Sequence, residues 1–377
     1  MFIQHGQIRI GLKRQRAITS SRTKDGLLMI RSISISNFRC YKQLQVENCG
    51  RLNVIVGDNG TGKTSLLEAI FLALGGGTEI AVRLRTLRGL DASFSGSQRS
   101  IENAIFADFF YNNDTTNSVS VVLDGDGDDN RSLAIFRGAA EAFLPFSEGK
   151  ALEVTSTSPF TFRWKDGQGI ERSASPIARG GGLHLPDTGE DLPDFFFIPA
   201  TGILGSVENA GRFSELSKNG QNLRFTKVFS HEYNWLDDLS IEVSAGSPAI
   251  FATLKGSGRK IPLANLSGGI NRIIGILLTI ASRPSSVVLV DEIESGIFYT
   301  HQAQIWRQLL AFARDYKSQL FVTTHSQECL TALIEAAGNS VEDIVLWRLG
   351  RDPMSQGVRQ FWGRTFKAGI ETGGEVR

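Results

Sequence analysis

Cysteine is scarce in this chain. The three residues, Cys40, Cys49 and Cys329, are odd in number and stand at no metal-ligand spacing. That excludes a disulfide framework and a cysteine-built zinc site, and it fits reduced thiols in a cytoplasmic setting. Long apolar runs are missing as well. No stretch approaches the roughly 18 residues that a membrane helix needs. Charge of one sign is not in excess: 40 Lys and Arg stand against 39 Asp and Glu, a net charge of +1. No global electrostatic attraction to nucleic acid follows, although a local basic patch is compatible with that balance. There is no sustained heptad pattern and no internal repeat, so a long coiled coil and a solenoid are excluded.

What is there is the composition of a globular protein. Hydrophobic residues make up 41% and charged residues 21% of the 377, enough to bury a core in one large domain or two to three small ones. The first 28 residues differ: Arg9, Lys13, Arg14, Arg16, Arg22 and Lys24 face only Asp25. With no long apolar segment they are not a secretory signal. Met29 immediately precedes the first alternating run, so 1–28 reads as a disordered extension or a mis-assigned start. A basic arm touching nucleic acid is the functional alternative.

The most informative stretch is Gly57-Asp58-Asn59-Gly60-Thr61-Gly62-Lys63-Thr64. It matches the phosphate-binding pattern G-x-x-x-x-G-K-[ST] without a mismatch. Leu52–Val56 before it reads as a buried strand. Leu66, Leu67, Ile70, Phe71 and Leu74 after it recur at helical spacing, and Gly75-Gly76-Gly77 ends that helix. A loop between such a strand and helix can wrap a polyphosphate with backbone N–H groups, aided by the helix N-terminus. Lys63 reaches phosphate oxygens and the Thr64 hydroxyl is a ligand for Mg²⁺.

Upstream, Ile33 and Ile35 alternate with serines, and Leu44 and Val46 continue the pattern, so 29–56 reads as two or three strands. A less regular stretch over 78–115 contains a short helix near Ile101–Phe110. Alternating runs at Val119–Leu123, Leu133–Ile135, Leu152–Val154 and Phe160–Trp164 predict an antiparallel lobe at about 116–192. The acidic turn Asp124–Asn130 fails the calcium-loop pattern, because Asp129 and Ile135 stand where Gly and Glu are required. Asp194–Pro199 resumes a buried strand. Leu266-Ser267-Gly268-Gly269 opens a helix. Val287–Val290 is a buried strand ending in Asp291-Glu292, and Leu320–Val322 is another ending in Thr323-Thr324-His325-Ser326. Alternating strands and helices with apolar strands predict a mostly parallel α/β sheet with helices on both faces.

The phosphate loop, Leu266–Gly269, Asp291-Glu292 and His325 are individually weak after the first, but their joint order is specific. It resembles the ATP-binding-cassette (ABC) class of P-loop ATPases. Ile35-Ser36-Asn37-Phe38-Arg39-Cys40-Tyr41, Asp291–Gly296 and Thr323–Ser326 are similar to the branch holding structural-maintenance-of-chromosomes (SMC) heads, RecF-like repair ATPases and overcoming-lysogenization-defect (OLD) ATPases. The tail Gly374–Arg377 is similar to stand-alone AAA-family ATPases of that branch. The resemblance covers 29–75 and about 195–377. It implies a single ATPase head over 29–377, with the antiparallel lobe inserted between the phosphate-loop helix and the signature. It implies ATP and Mg²⁺ held by Gly57–Thr64 and Ser65, with Thr64 and Asp291 on the metal. Glu292 polarises the attacking water, and His325 contacts the γ-phosphate. Arg39 lies near the nucleotide, while Ser267, Gly268 and Gly269 touch the nucleotide of an opposing subunit. The segment after Glu292, Glu294–Tyr299, departs from the family's usual run, and the candidate for the family's glutamine loop is Gln98. His184, His231 and His301 read as structural or surface residues.

The implied partners are a second copy across an ATP sandwich, with assembly beyond the dimer left open, a separate nuclease-like effector chain, and DNA. A membrane is not among them. Antiviral defence and DNA repair are the implied settings. The alternative is the nucleotide-binding subunit of an ABC transporter. Such subunits carry their signature nearer the phosphate loop, whereas more than half of this chain lies between Thr64 and Leu266. A nuclease within the chain is disfavoured because the stretch after His325 holds no acidic cluster on strand ends.

Overall fold

The computed structural model describes residues 29–90, 98–126, 129–138, 141–143, 155–157, 160–179, 182–186, 192–200, 205–350 and 357–372. The basic stretch 1–28, the run Leu152–Val154 and the tail Gly374–Arg377 lie outside them.

Alternation yields the first strands, β1 (Ile30–Phe38) and β2 (Tyr41–Val46). A register shift between Ile30 and Ser32 lets Ile30 share the buried side of Ile33 despite the odd spacing. β3 (Leu52–Val56) is buried along its whole length, and α1 (Lys63–Leu74) follows the phosphate loop. Next come α2 (Glu79–Leu87) and α3 (Gln98–Phe106). The helix α2 falls in the stretch read as irregular. Its Ile80, Val82 and Leu84 alternate rather than follow a helical period, although with Ala81 they are all buried.

The strands β4 (Val119–Gly125), β5 (Arg131–Arg137), β6 (Glu141–Phe143), β7 (Thr155–Thr157), β8 (Phe160–Lys165), β9 (Glu171–Ala174), β10 (Ile177–Arg179), β11 (Gly182–His184) and β12 (Phe195–Ile198) follow. The remainder comprises α4 (Ser206–Lys218), α5 (Asn222–Glu232), β13 (Leu236–Ser244), β14 (Ser247–Leu254), β15 (Lys260–Pro262), α6 (Gly268–Ser282) and β16 (Val287–Val290). It ends with α7 (Gln302–Asp315), β17 (Gln319–Thr323), α8 (Gln327–Ala337), β18 (Ile344–Leu349), β19 (Val358–Trp362) and α9 (Gly363–Glu371).

The chain divides into two compact units, and the division falls within α1. The described residues of the first unit fall within Met1–Asn48, Glu68–Pro193 and Asp352–Gly357. Its main sheet runs β2-β1-β4-β5-β8-β9, antiparallel throughout. The lobe strands therefore extend a sheet begun by β1 and β2. Phe106, Phe110, Phe160 and Phe162 fill its core at ring separations of 5.5–5.8 Å. At the end of β4, Arg31 pairs with Asp126 at 2.7 Å and Ser32 donates to Asp124 at 2.7 Å.

The second unit takes its described residues from Cys49–Leu67, Asp194–Arg351 and Val358–Arg377. Its sheet runs β12-β16-β17-β3-β18-β19, parallel except for β19. Val54, Val288, Val322 and Leu346 of the strands share one core with Ile273 and Leu277 of α6, Trp306 and Leu309 of α7, and Leu330 and Leu333 of α8. Because β16, β17 and β3 are adjacent and parallel, their C-terminal ends lie side by side, where open α/β sheets hold their sites. Among the described residues no helix is long and apolar enough to cross a membrane.

Candidate functional site

The loop from Gly57 to Thr64 leaves the end of β3. Gly57 has φ +145°, and a side chain there would meet the Leu349 carbonyl and the Thr61 hydroxyl within 2.8 Å, so glycine is required. Thr61 closes the turn, its N–H and hydroxyl both donating to the Asp58 carbonyl, at 3.3 and 2.9 Å. Asp58, Asn59 and Gly60 are exposed, whereas Lys63 and Ser65 are buried. Lys63 Nζ reaches across the loop to the carbonyls of Gly57 (2.8 Å) and Asp58 (2.9 Å). Burial lowers its pKa, while the charges of Asp291, Glu292, Asp58 and Glu294 act in the opposite direction.

The acidic pair follows β16. The Thr64 hydroxyl lies 2.9 and 3.1 Å from the two carboxylate oxygens of Asp291. Thr323 Oγ1, at the end of β17, donates to the same carboxylate at 2.6 Å. That hydroxyl also accepts the Glu292 N–H at 2.8 Å. Glu292 sits at φ +47°, a left-handed conformation that costs an L-residue about 1–2 kcal/mol. Its Oε1 is 3.5 Å from His325 Nε2. The His325 N–H donates to Glu294 at 2.7 Å, and Ser326 caps α8 by accepting the Cys329 N–H at 3.0 Å. One bonded chain thus runs from Thr64 through Asp291 and Thr323 to Glu292, with His325 beside it.

The signature residues take a different position. Ser267 is the N-cap of α6, and with Gly268 it is exposed. Among the described residues no hydrogen bond joins either one to the phosphate loop. Gly269 is buried, and a Cβ there would drive into the Gly296 carbonyl in the turn after Glu292. Arg39 belongs to the first unit, and its contacts lie there: Glu68 at 2.7 Å, Asp108 at 3.3 Å, and the Phe109 ring 5.0 Å from its guanidinium. Gln98 opens α3, and its side chain lies outside the described residues. His184, His231 and His301 are exposed. Among the described residues there is no cluster of three or more His, Cys, Asp or Glu side chains able to hold a metal ion.

Two residues that bond to Asp291 and Glu292 have contacts that a reading of the sequence does not reveal. Thr323 shows there as the end of an apolar strand and the start of the Thr323–Ser326 run, with no role of its own. Arg272 shows as the one charge in a mostly apolar helical stretch, Ile270–Ala281. A hydroxyl and a cation at the ends of buried elements were the available signals.

Comparison with known proteins finds ATPase domains along the chain. An AAA domain matches residues 32–184, and an AAA ATPase domain matches 208–330. An ATP/GTP phosphatase of Helicobacter pylori is 22% identical over 330 residues, 81% of this chain and 87% of that protein. The DNA replication and repair protein RecF of Oenococcus oeni is 47% identical, but over only 45 residues, 12% of each chain. Among solved structures, an SMC head bound to the C-terminal winged-helix domain of ScpA matches with a TM-score of 0.50 at 14% identity, covering 88% of this chain and 98% of that one. That likeness is one of fold.

Proposed function

We propose that this chain, which matches AAA-type ATPase domains, is an ATPase of the SMC/RecF-like P-loop class that works as an ATP-gated dimeric switch acting on DNA or on a separate effector protein. The observation that carries the proposal is the bonded chain from Thr64 through Asp291 and Thr323 to Glu292, standing beside Lys63. Lys63 and the loop N–H groups hold the ATP phosphates. Thr64 and Asp291 are hard oxygen donors within 2.9 Å of each other, which suits Mg²⁺ completing its coordination with phosphate and water. When bound, the ion neutralises charge on the phosphates.

Glu292 is the base. Its carboxylate takes a proton from the water whose oxygen attacks the γ-phosphorus, and the bond to the ADP oxygen breaks. His325, 3.5 Å from Glu292, orients the γ-phosphate end of the substrate.

Support for the dimer comes from Ser267 and Gly268. They sit exposed at a helix N-terminus, which favours anions, and make no bond to their own loop. A second copy related by two-fold symmetry completes each site, with two nucleotides between the copies and Ser267, Gly268 and Gly269 against the partner's γ-phosphate. The RecF relatives support a role in DNA repair; a nuclease-like effector in antiviral defence rests on the OLD resemblance alone.

Glu292→Gln is expected to bind ATP, to hydrolyse it at least about 10²-fold more slowly, and to sediment as an ATP-bound dimer. Ser267→Arg is expected to bind ATP as a monomer without turning it over. Phosphate release and analytical ultracentrifugation with and without ATP test both. Wild-type turnover in either variant would refute the sandwich mechanism.

A further inference from the structure

Arg272 lies on α6 downstream of the signature and is only 8% exposed. Among the described residues its guanidinium has no hydrogen bond to a carboxylate. Nη1 donates to the carbonyls of Pro199 (2.6 Å) and Ala200 (3.3 Å), and Nη2 to those of Asp291 (2.6 Å) and Glu292 (3.3 Å). These four oxygens lie just beyond the C-terminal ends of β12 and β16, which are parallel neighbours. Burial lowers the pKa of Arg272, opposed by the charges of Asp291, Glu292 and Glu294. An arginine starts so high that it stays a cation. Burying an ion costs several kcal/mol. A leucine or methionine would pack this helix at lower cost, so packing alone does not account for the residue.

The backbone it grips is the strained one. Glu292 is left-handed, and three hydrogen bonds hold its backbone there: its N–H on Thr323, and its carbonyl accepting both from Arg272 at 3.3 Å and from the Ser295 N–H at 3.0 Å. The preceding carbonyl is on Arg272 as well. Without the guanidinium the Asp291 carbonyl loses this 2.6 Å bond and the Glu292 carbonyl keeps the Ser295 N–H, so the peptide that carries the Glu292 side chain is less firmly fixed.

We propose that Arg272 is a positioning residue for the hydrolytic carboxylate. It fixes the backbone of Glu292, and because Ser267 caps the same helix, it couples the signature end of α6 to the orientation of that base. The inference rests on Glu292 acting as the base.

Arg272→Ala and Arg272→Lys in the full chain test it through kcat, KM, nucleotide binding and melting temperature. A lysine ammonium is compact and cannot span carbonyls on two strands as a planar fork does. Arg272→Lys is therefore expected to keep its fold and its nucleotide affinity while kcat falls by about 10- to 10²-fold, as for a misplaced reacting group. Arg272→Ala is expected to lose at least as much kcat and also stability. Thr323→Val removes the tie at the Glu292 N–H, and its loss of kcat should be non-additive with that of Arg272→Lys. Wild-type kcat in folded Arg272→Lys, or a loss confined to nucleotide affinity, overturns the proposal. If Arg272→Ala fails to fold, the lysine variant decides. Slow turnover in Glu292→Gln beside normal turnover in Arg272→Lys would reject the positioning role alone; normal turnover in Glu292→Gln would reject the base itself.

Discussion

Gly268 and Gly269 are adjacent and read alike in the sequence, yet their surroundings differ. A Cβ at Gly268 meets nothing within 4 Å, whereas one at Gly269 enters the Gly296 carbonyl. Helix propensity favours alanine over glycine by about 0.5–1 kcal/mol. Overpacking costs about 1–3 kcal/mol, and here the obstacle is backbone, which cannot rotate away. The clash wins at Gly269 and has no counterpart at Gly268. Gly269→Ala is expected to lower stability by about 1–3 kcal/mol in urea unfolding. Gly268→Ala is expected to leave stability unchanged or slightly raised. Equal effects from the two would show that the turn at Gly296 yields freely.

Among the elements, α6 and α8 both begin with a serine cap beside the site, but the caps differ in quality. Ser326 Oγ accepts the Cys329 N–H at 3.0 Å, while Ser267 Oγ stands 3.5 Å from the Ile270 N–H, at the limit of a hydrogen bond. Ser326→Ala is expected to cost about 1 kcal/mol and Ser267→Ala clearly less. Urea midpoints at constant m-value measure both, and a larger loss at Ser267 would contradict the geometry. The weak cap leaves the Ser267 hydroxyl available for another acceptor or donor, consistent with the role proposed for it. The strong one anchors the start of α8 immediately after His325.

For the whole molecule, buried acids set the alkaline limit. Burial, reinforced by the charge of Glu294, pushes the Cys329 thiol from an ordinary 9.0 up to about 12. Burial likewise raises Tyr41 in the first unit and Tyr316 in the second. Between pH 9 and 12 an unfolded chain releases the Cys329 proton that the folded chain retains, so stability is intact below 9 and is lost as pH rises through that window. Lys63 acts with the opposite sign, since burial depresses its folded pKa below 10.5, and it offsets part of the fall. Denaturant midpoints are expected to drop from pH 9 to pH 11, and Cys329→Ala is expected to flatten the slope. An unchanged slope in that variant would show that Cys329 titrates normally.

The phosphate loop was legible because its chemistry is local: Gly57 to Thr64 must be contiguous to wrap a phosphate, and the flanking strand and helix carry their own periodicity. Asp291 and Glu292 were legible for the same reason, as polar residues ending the continuous apolar run of β16. The parallel sheet followed from strands too apolar to face water on either side. What the linear order could not hold was adjacency between distant segments. That β17 lies between β16 and β3, so that Thr323 bridges Asp291 and Glu292, depends on crossovers that no local pattern encodes. The same is true of β1 and β2, which pair into the sheet of the lobe. Arg272 is the clearest case. In sequence it interrupts an apolar helix; only the packing of α6 against the ends of β12 and β16 gives its guanidinium four carbonyl oxygens to hold.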